Sequence, residues 1–114
     1  MKKTLVITLI SLIAISCSKN GSTGGGGTLD CSAVPKSFSA DVLPIVQIFC
    51  NTAGCHATGS TNGPGPITNH SQTFTHRVAI RAAVAAGTMP KTSTLTTAQK
   101  NSFLCWIDSG APNN

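Results

Sequence analysis

The stretch CNTAGCHATGS, Cys50 to Ser60, holds two of the five cysteines and one of the three histidines in the chain. Two thiols and an imidazole this close together support three chemistries: a small disulfide loop, a soft-metal site, or covalent attachment of a prosthetic group beside an iron-binding histidine. Met89, in a Met-Pro pair, supplies a thioether sulfur that serves as a soft ligand or as core filler. His70 and His76 read as exposed polar residues. Arg77 and Arg81 lie four apart and read as a solvated helix face.

Helices have to position these groups, because no stretch alternates apolar and polar residues in strand fashion. Asp41 is placed to cap a first helix with Pro44 in its opening turn, where a missing amide proton costs least. Val42, Ile45, Val46 and Phe49 form an apolar stripe on that helix, which runs into Cys50. From Cys55 to His70 the glycines and prolines of CHATGSTNGPGPITNH break any helix, so the Cys-His pair falls on a loop. A second helix is expected over TFTHRVAIRAAVAAG, capped at Ser71 or Thr73, burying Phe74, Val78, Ala82 and Ala85, and stopped by Gly87. A last helix begins at the capping box of Thr96 and Gln99 and carries Phe103, Leu104, Trp106 and Ile107 to a stop at Gly110. Met89 lies just before it.

The N-terminal MKKTLVITLISLIAISC joins two lysines to an apolar run too short to span a bilayer, the pattern of an export signal. Its end at Ser16-Cys17 resembles the lipobox of bacterial lipoproteins, which implies lipidation of Cys17 and attachment to a membrane. The next stretch, SKNGSTGGGGTLD, has almost nothing to bury and reads as a tether. The expected organisation is a signal peptide over 1–16, a lipid-anchored tether over 17–30 and one small domain over 31–114. A domain of this size has a limited core of its own. With four Phe, one Trp and no Tyr, something further has to fill or staple the interior. After Cys17 six basic residues face three acidic ones, a formal +3. The charge is dispersed and lacks aromatic interleaving, which excludes a nucleic-acid partner.

Taken together, Cys50, Cys55 and His56, the Met89-Pro90 pair and the terminal WIDSGA, Trp106 to Ala111, resemble a class I cytochrome c over most of residues 38–111. The resemblance extends to small bacterial lipoprotein monohaem cytochromes. The chain departs from the usual C-x-x-C-H signal by having four residues between the cysteines. The resemblance implies an all-α fold with three main helices around one covalently attached haem c. It further implies thioether bonds at Cys50 and Cys55, His56 and Met89 as iron ligands, and a backbone carbonyl near Pro64 or Pro66 as the partner of His56. With those cysteines so assigned, Cys31 and Cys105 are left to form a disulfide in an oxidising compartment.

The expected function is then a membrane-tethered carrier of single electrons between redox proteins, facing the periplasm or the cell exterior, and not an enzyme. The alternative is a haem-free, disulfide-stabilised structural or binding lipoprotein on a similar helical scaffold. For a chain without haem, Cys31, Cys50, Cys55 and Cys105 allow three disulfide connectivities. A copper or other soft-metal site at Cys50, Cys55, His56 and Met89 is a third reading.

Overall fold

The computed structural model describes residues 29–114. The expected signal peptide, the lipidated Cys17 and nearly all of the tether lie outside these residues. The described part is all-α and free of sheet, with four helical elements rather than three. The first, α1, is continuous from a wide π-type turn at Phe38–Val42 through α-helical Leu43–Ile45 to a second π-type stretch at Val46–Cys50. Helix α2 is His70–Thr75, α3 is Arg77–Ala86 and α4 is Thr97–Asp108.

Helix α1 starts earlier than its sequence indicates. Its cap is Ser37, whose hydroxyl accepts from the Ala40 amide, while the Asp41 carboxylate accepts from the Ser37 amide at 2.7 Å. Pro44 therefore lies inside a helical stretch, where it removes a donor and crowds the preceding turn. The widened turns accommodate it: Val42 donates to the Ser37 carbonyl at 3.2 Å, and at the far end Asn51 donates to Val46 at 2.7 Å, each five residues back. The apolar stripe is as expected, with Val42, Ile45 and Val46 buried and Phe49 packed against the core.

The expected second helix is two. Asn69 caps α2 by accepting from Gln72, and at His76 the backbone leaves helical geometry, with φ −100° and ψ 10°. That break gives α3 a different buried face. Val84 is buried and Ile80 packs on the core, whereas Val78 is 76% exposed and Phe74 37% exposed. Gly87 ends α3 in left-handed geometry, φ +70°, as anticipated. In α4 the capping box of Thr96 and Gln99 is formed in both directions, and Phe103, Leu104, Cys105 and Trp106 are buried.

The core sits where α1 crosses α4. Phe38 lies against Trp106 with ring centroids 5.2 Å apart, and His70 meets Phe38 edge-on at 4.8 Å. His70 is thus half-buried rather than exposed, its Nε2 at 3.0 Å from the Ala111 carbonyl. Trp106 donates its indole proton to Pro112, which removes the cost of burying that group. A disulfide joins Cys31 to Cys105 across 74 positions of sequence. It ties the segment leading into α1 to the last turn of α4, closing a long loop and worth about 2–4 kcal/mol.

Candidate binding cavity

The four residues singled out by their chemistry converge. Cys50 from the end of α1, Cys55 and His56 from the following loop, and Met89 from the segment before α4 all border one cavity of about 460 Å³. Its remaining walls come largely from apolar side chains: Ile45 and Phe49 of α1, Ile67 beyond the loop, Ile80 and Val84 of α3, and Leu95 before α4. The small Ala79 and Ala83 on α3 leave the space open. No single segment contains this arrangement, since the wall residues of α3 lie on the face its sequence pattern did not favour.

The loop carrying Cys55 and His56 is held by backbone bonds. His56 donates its amide to Cys50 at 3.1 Å, Cys55 donates to Thr52 at 3.0 Å, and Ile67 returns to the His56 carbonyl at 2.8 Å. Asn62 reaches back to the Gly54 carbonyl at 2.7 Å, and the Ser60 hydroxyl donates to Cys55. Gly54 takes φ +79°, a left-handed turn that glycine adopts without a side-chain clash. The His56 Nδ1 lies 2.9 Å from the Gly65 carbonyl, so its acceptor belongs to the residue between Pro64 and Pro66.

No carboxylate lines the cavity, and Lys91 is its one ammonium side chain. Burial, with a smaller contribution from the neighbouring Cys55, pushes the Cys50 thiol up from 9.0 to about 11. At neutral pH Cys50 is therefore a protonated, nearly apolar thiol rather than a thiolate ligand. Arg81 is not directed at the cavity: it forms a forked pair with Asp108, at 2.5 and 2.8 Å, linking α3 to α4. Arg77 instead lies over the Phe74 ring, 3.9 Å from its centroid.

These observations correct the cofactor expectation. Among the described residues there is no group of three or more His, Cys, Asp or Glu side chains able to hold a metal ion. The staple that the sparse aromatic content called for is the Cys31–Cys105 disulfide, backed by the cluster around Trp106. Cys50 and Cys55 are free thiols. The assignment of haem c, of iron ligation by His56 and Met89, and of electron transfer is accordingly replaced by that of a haem-free, disulfide-stabilised scaffold. The soft-metal reading is withdrawn on the same ground. Among the described residues no helix is long and apolar enough to cross a membrane.

Comparison with protein-family models, with curated proteins and with solved structures gives no match. The resemblance to class I cytochromes c therefore gains no support beyond the short motifs that prompted it, and it is corrected together with the cofactor. Sequence reading singled out Cys50, Cys55, His56 and Met89 and the apolar Ile45 and Phe49 of α1, but missed the walls that α3 contributes. The signal for Ile80 and Val84 was present as a four-residue spacing continuing from His76, masked by the stronger apolar character of Phe74 and Val78.

Proposed function

We propose that the domain is a haem-free binding module, cross-linked by Cys31–Cys105, whose cavity takes a small, mainly apolar molecule. The observation that carries this reading is the cavity itself: about 460 Å³, walled chiefly by aliphatic and aromatic side chains. That volume falls within the usual range for small-molecule sites, and a few polar groups in an apolar lining is their usual composition. Binding rather than catalysis is favoured by the lining chemistry. Its polar side chains are His56, Lys91, Asn62, Thr92, Cys50 and Cys55, with no carboxylate among them, and burial keeps the Cys50 thiol protonated rather than nucleophilic.

Lipid attachment at Cys17, followed by the glycine-rich tether, would hold this module beside a membrane in the bacterial cell envelope. An oxidising compartment of that kind also suits the disulfide.

The test is calorimetric titration of the full chain with naphthalene, a compact apolar probe. Saturable one-site binding is expected. Ala83→Leu, which places extra side-chain volume into the open space, should weaken that binding at least tenfold while the helical circular dichroism stays intact. Absence of saturable binding to the folded wild type would remove the proposal.

A further inference from the structure

The cavity's polar groups define more than its capacity. His56 presents two ring nitrogens, and only one is occupied. Its Nδ1 faces the Gly65 carbonyl at 2.9 Å. A carbonyl oxygen only accepts, so the proton of the neutral ring resides on Nδ1 and Nε2 carries a lone pair. Nε2 makes no hydrogen bond, and among the described residues no polar side-chain atom is buried without a partner. It is therefore reachable from open space, and His56 is one of the residues that line the cavity.

The surrounding groups sharpen this. The Gly65 carbonyl is carried on a loop fixed from several directions. Gly65 donates to Asn62 at 3.0 Å, and Ile67 donates to the His56 carbonyl at 2.8 Å. The ring is therefore oriented before any ligand arrives, which lowers the ordering cost of using it. Three of the other side-chain groups at the cavity are poor competitors as acceptors: the Met89 sulfur accepts weakly, the Cys50 thiol is protonated, and Lys91 only donates. Asn62 donates its Nδ2 to the Gly54 carbonyl, so its Oδ1 and the Thr92 hydroxyl are the other side-chain oxygens at the cavity able to accept, and the His56→Phe comparison separates them from the ring. A cationic ligand finds no carboxylate here and meets Lys91 instead.

We infer that the ligand is an apolar aromatic or alicyclic molecule bearing a hydroxyl group, which donates its proton in a hydrogen bond to His56 Nε2. This inference rests on the proposed binding function and names the ligand class for the same cavity. An apolar body without a donor leaves the imidazole lone pair facing a dry wall. A hydroxyl satisfies it, and the difference between the two sets the selectivity.

The experiment compares three probes of one ring system on the full chain: 2-naphthol, 2-methoxynaphthalene and naphthalene. The first has an oxygen that donates, the second an oxygen that only accepts, and the third no oxygen. Tighter binding of 2-naphthol than of 2-methoxynaphthalene, by about 3- to 10-fold, is expected from one net hydrogen bond. In His56→Phe that ratio should fall to about one, while Lys91→Ala keeps it. Because each ratio is taken within one protein, a general change in affinity cancels.

Should His56→Phe fail to fold, imidazole ¹⁵N spectra of the wild type replace it. 2-Naphthol should shift the Nε2 resonance and 2-methoxynaphthalene should leave it in place. Equal binding of the two oxygenated probes to wild type, a preference that survives in His56→Phe, or an unmoved Nε2 resonance would each overturn the inference while leaving the cavity's binding role standing. Failure of all three probes to bind would overturn both.

Discussion

The two sides of this small domain are built on opposite terms. On one side α1 crosses α4, and Val42, Val46, Phe103, Cys105 and Trp106 are all buried to 0% exposure around a disulfide. On the other, Phe49, Cys50, His56, Ile80, Met89 and Leu95 are only half-buried, because they face about 460 Å³ of open space. The first side resembles the interior of a larger protein. The second gives up packing that a domain of this size has little reserve to lose. Stability is concentrated in the cross-linked half, which leaves the other half free to keep apolar walls exposed for a ligand.

Substitutions can break that contrast, beginning with the packed half. Trp106→Ala removes the largest fully buried side chain and is expected to cost about 3–5 kcal/mol, enough to unfold much of the population at 25 °C. Chemical denaturation followed by circular dichroism measures it. A loss below about 1 kcal/mol would mean that the core is not where the stability resides. The next effect is that of the cross-link. Cys31→Ser with Cys105→Ser should lower stability by about 2–4 kcal/mol and leave the helical signal of the surviving folded fraction unchanged. A cofactor-like stabilisation from the cavity side would instead make the disulfide dispensable.

A third measurement addresses the cavity half through pH. The Cys50 thiol titrates near 11 when folded, above its ordinary 9.0, because burial disfavours the thiolate. Between those values the unfolded chain has released a proton that the folded chain still holds, so folding stability should fall as pH rises from 9.0 toward 11. Cys50→Ala should remove that part of the alkaline loss. Alkylation of Cys50 in the folded protein should likewise be slow at neutral pH and accelerate in the same window, read by mass spectrometry.

Smaller still is the expected effect of filling the cavity. Ala83→Leu should change stability by less than about 1 kcal/mol, because the added atoms enter existing space rather than a packed core. A loss of several kcal/mol there would show that the two halves are packed alike. The smallest effect belongs to the exposed Arg81–Asp108 pair, whose side chains are 43% and 36% exposed. Arg81→Ala is expected to cost at most about 0.5–1 kcal/mol, discounted for solvent screening. The Arg81 side chain holds the Asp108 carboxyl below its usual range. Its contribution is therefore present at neutral pH and is lost as acid protonates the carboxylate.

Sequence alone determined what local rules determine. Thr96 and Gln99 marked the start of α4, Gly87 marked the end of α3, and the spacing of Val42, Ile45 and Val46 marked the buried face of α1. Each depends on residues within one or two helical turns of one another. The same locality misled the reading of Cys55-His56 and Met89-Pro90, two dipeptides whose meaning depends on what they meet across the fold. The pairing of Cys31 with Cys105 is as the cysteine assignment expected, whereas tertiary structure decided that His76 breaks a helix, that α3 turns Ile80 and Val84 inward, and that His70 joins an aromatic cluster. It also decided the cavity, whose walls come from α1, a glycine-rich loop, α3 and the segment before α4. Burial and empty space are properties of several segments at once, and no window along the chain encodes them.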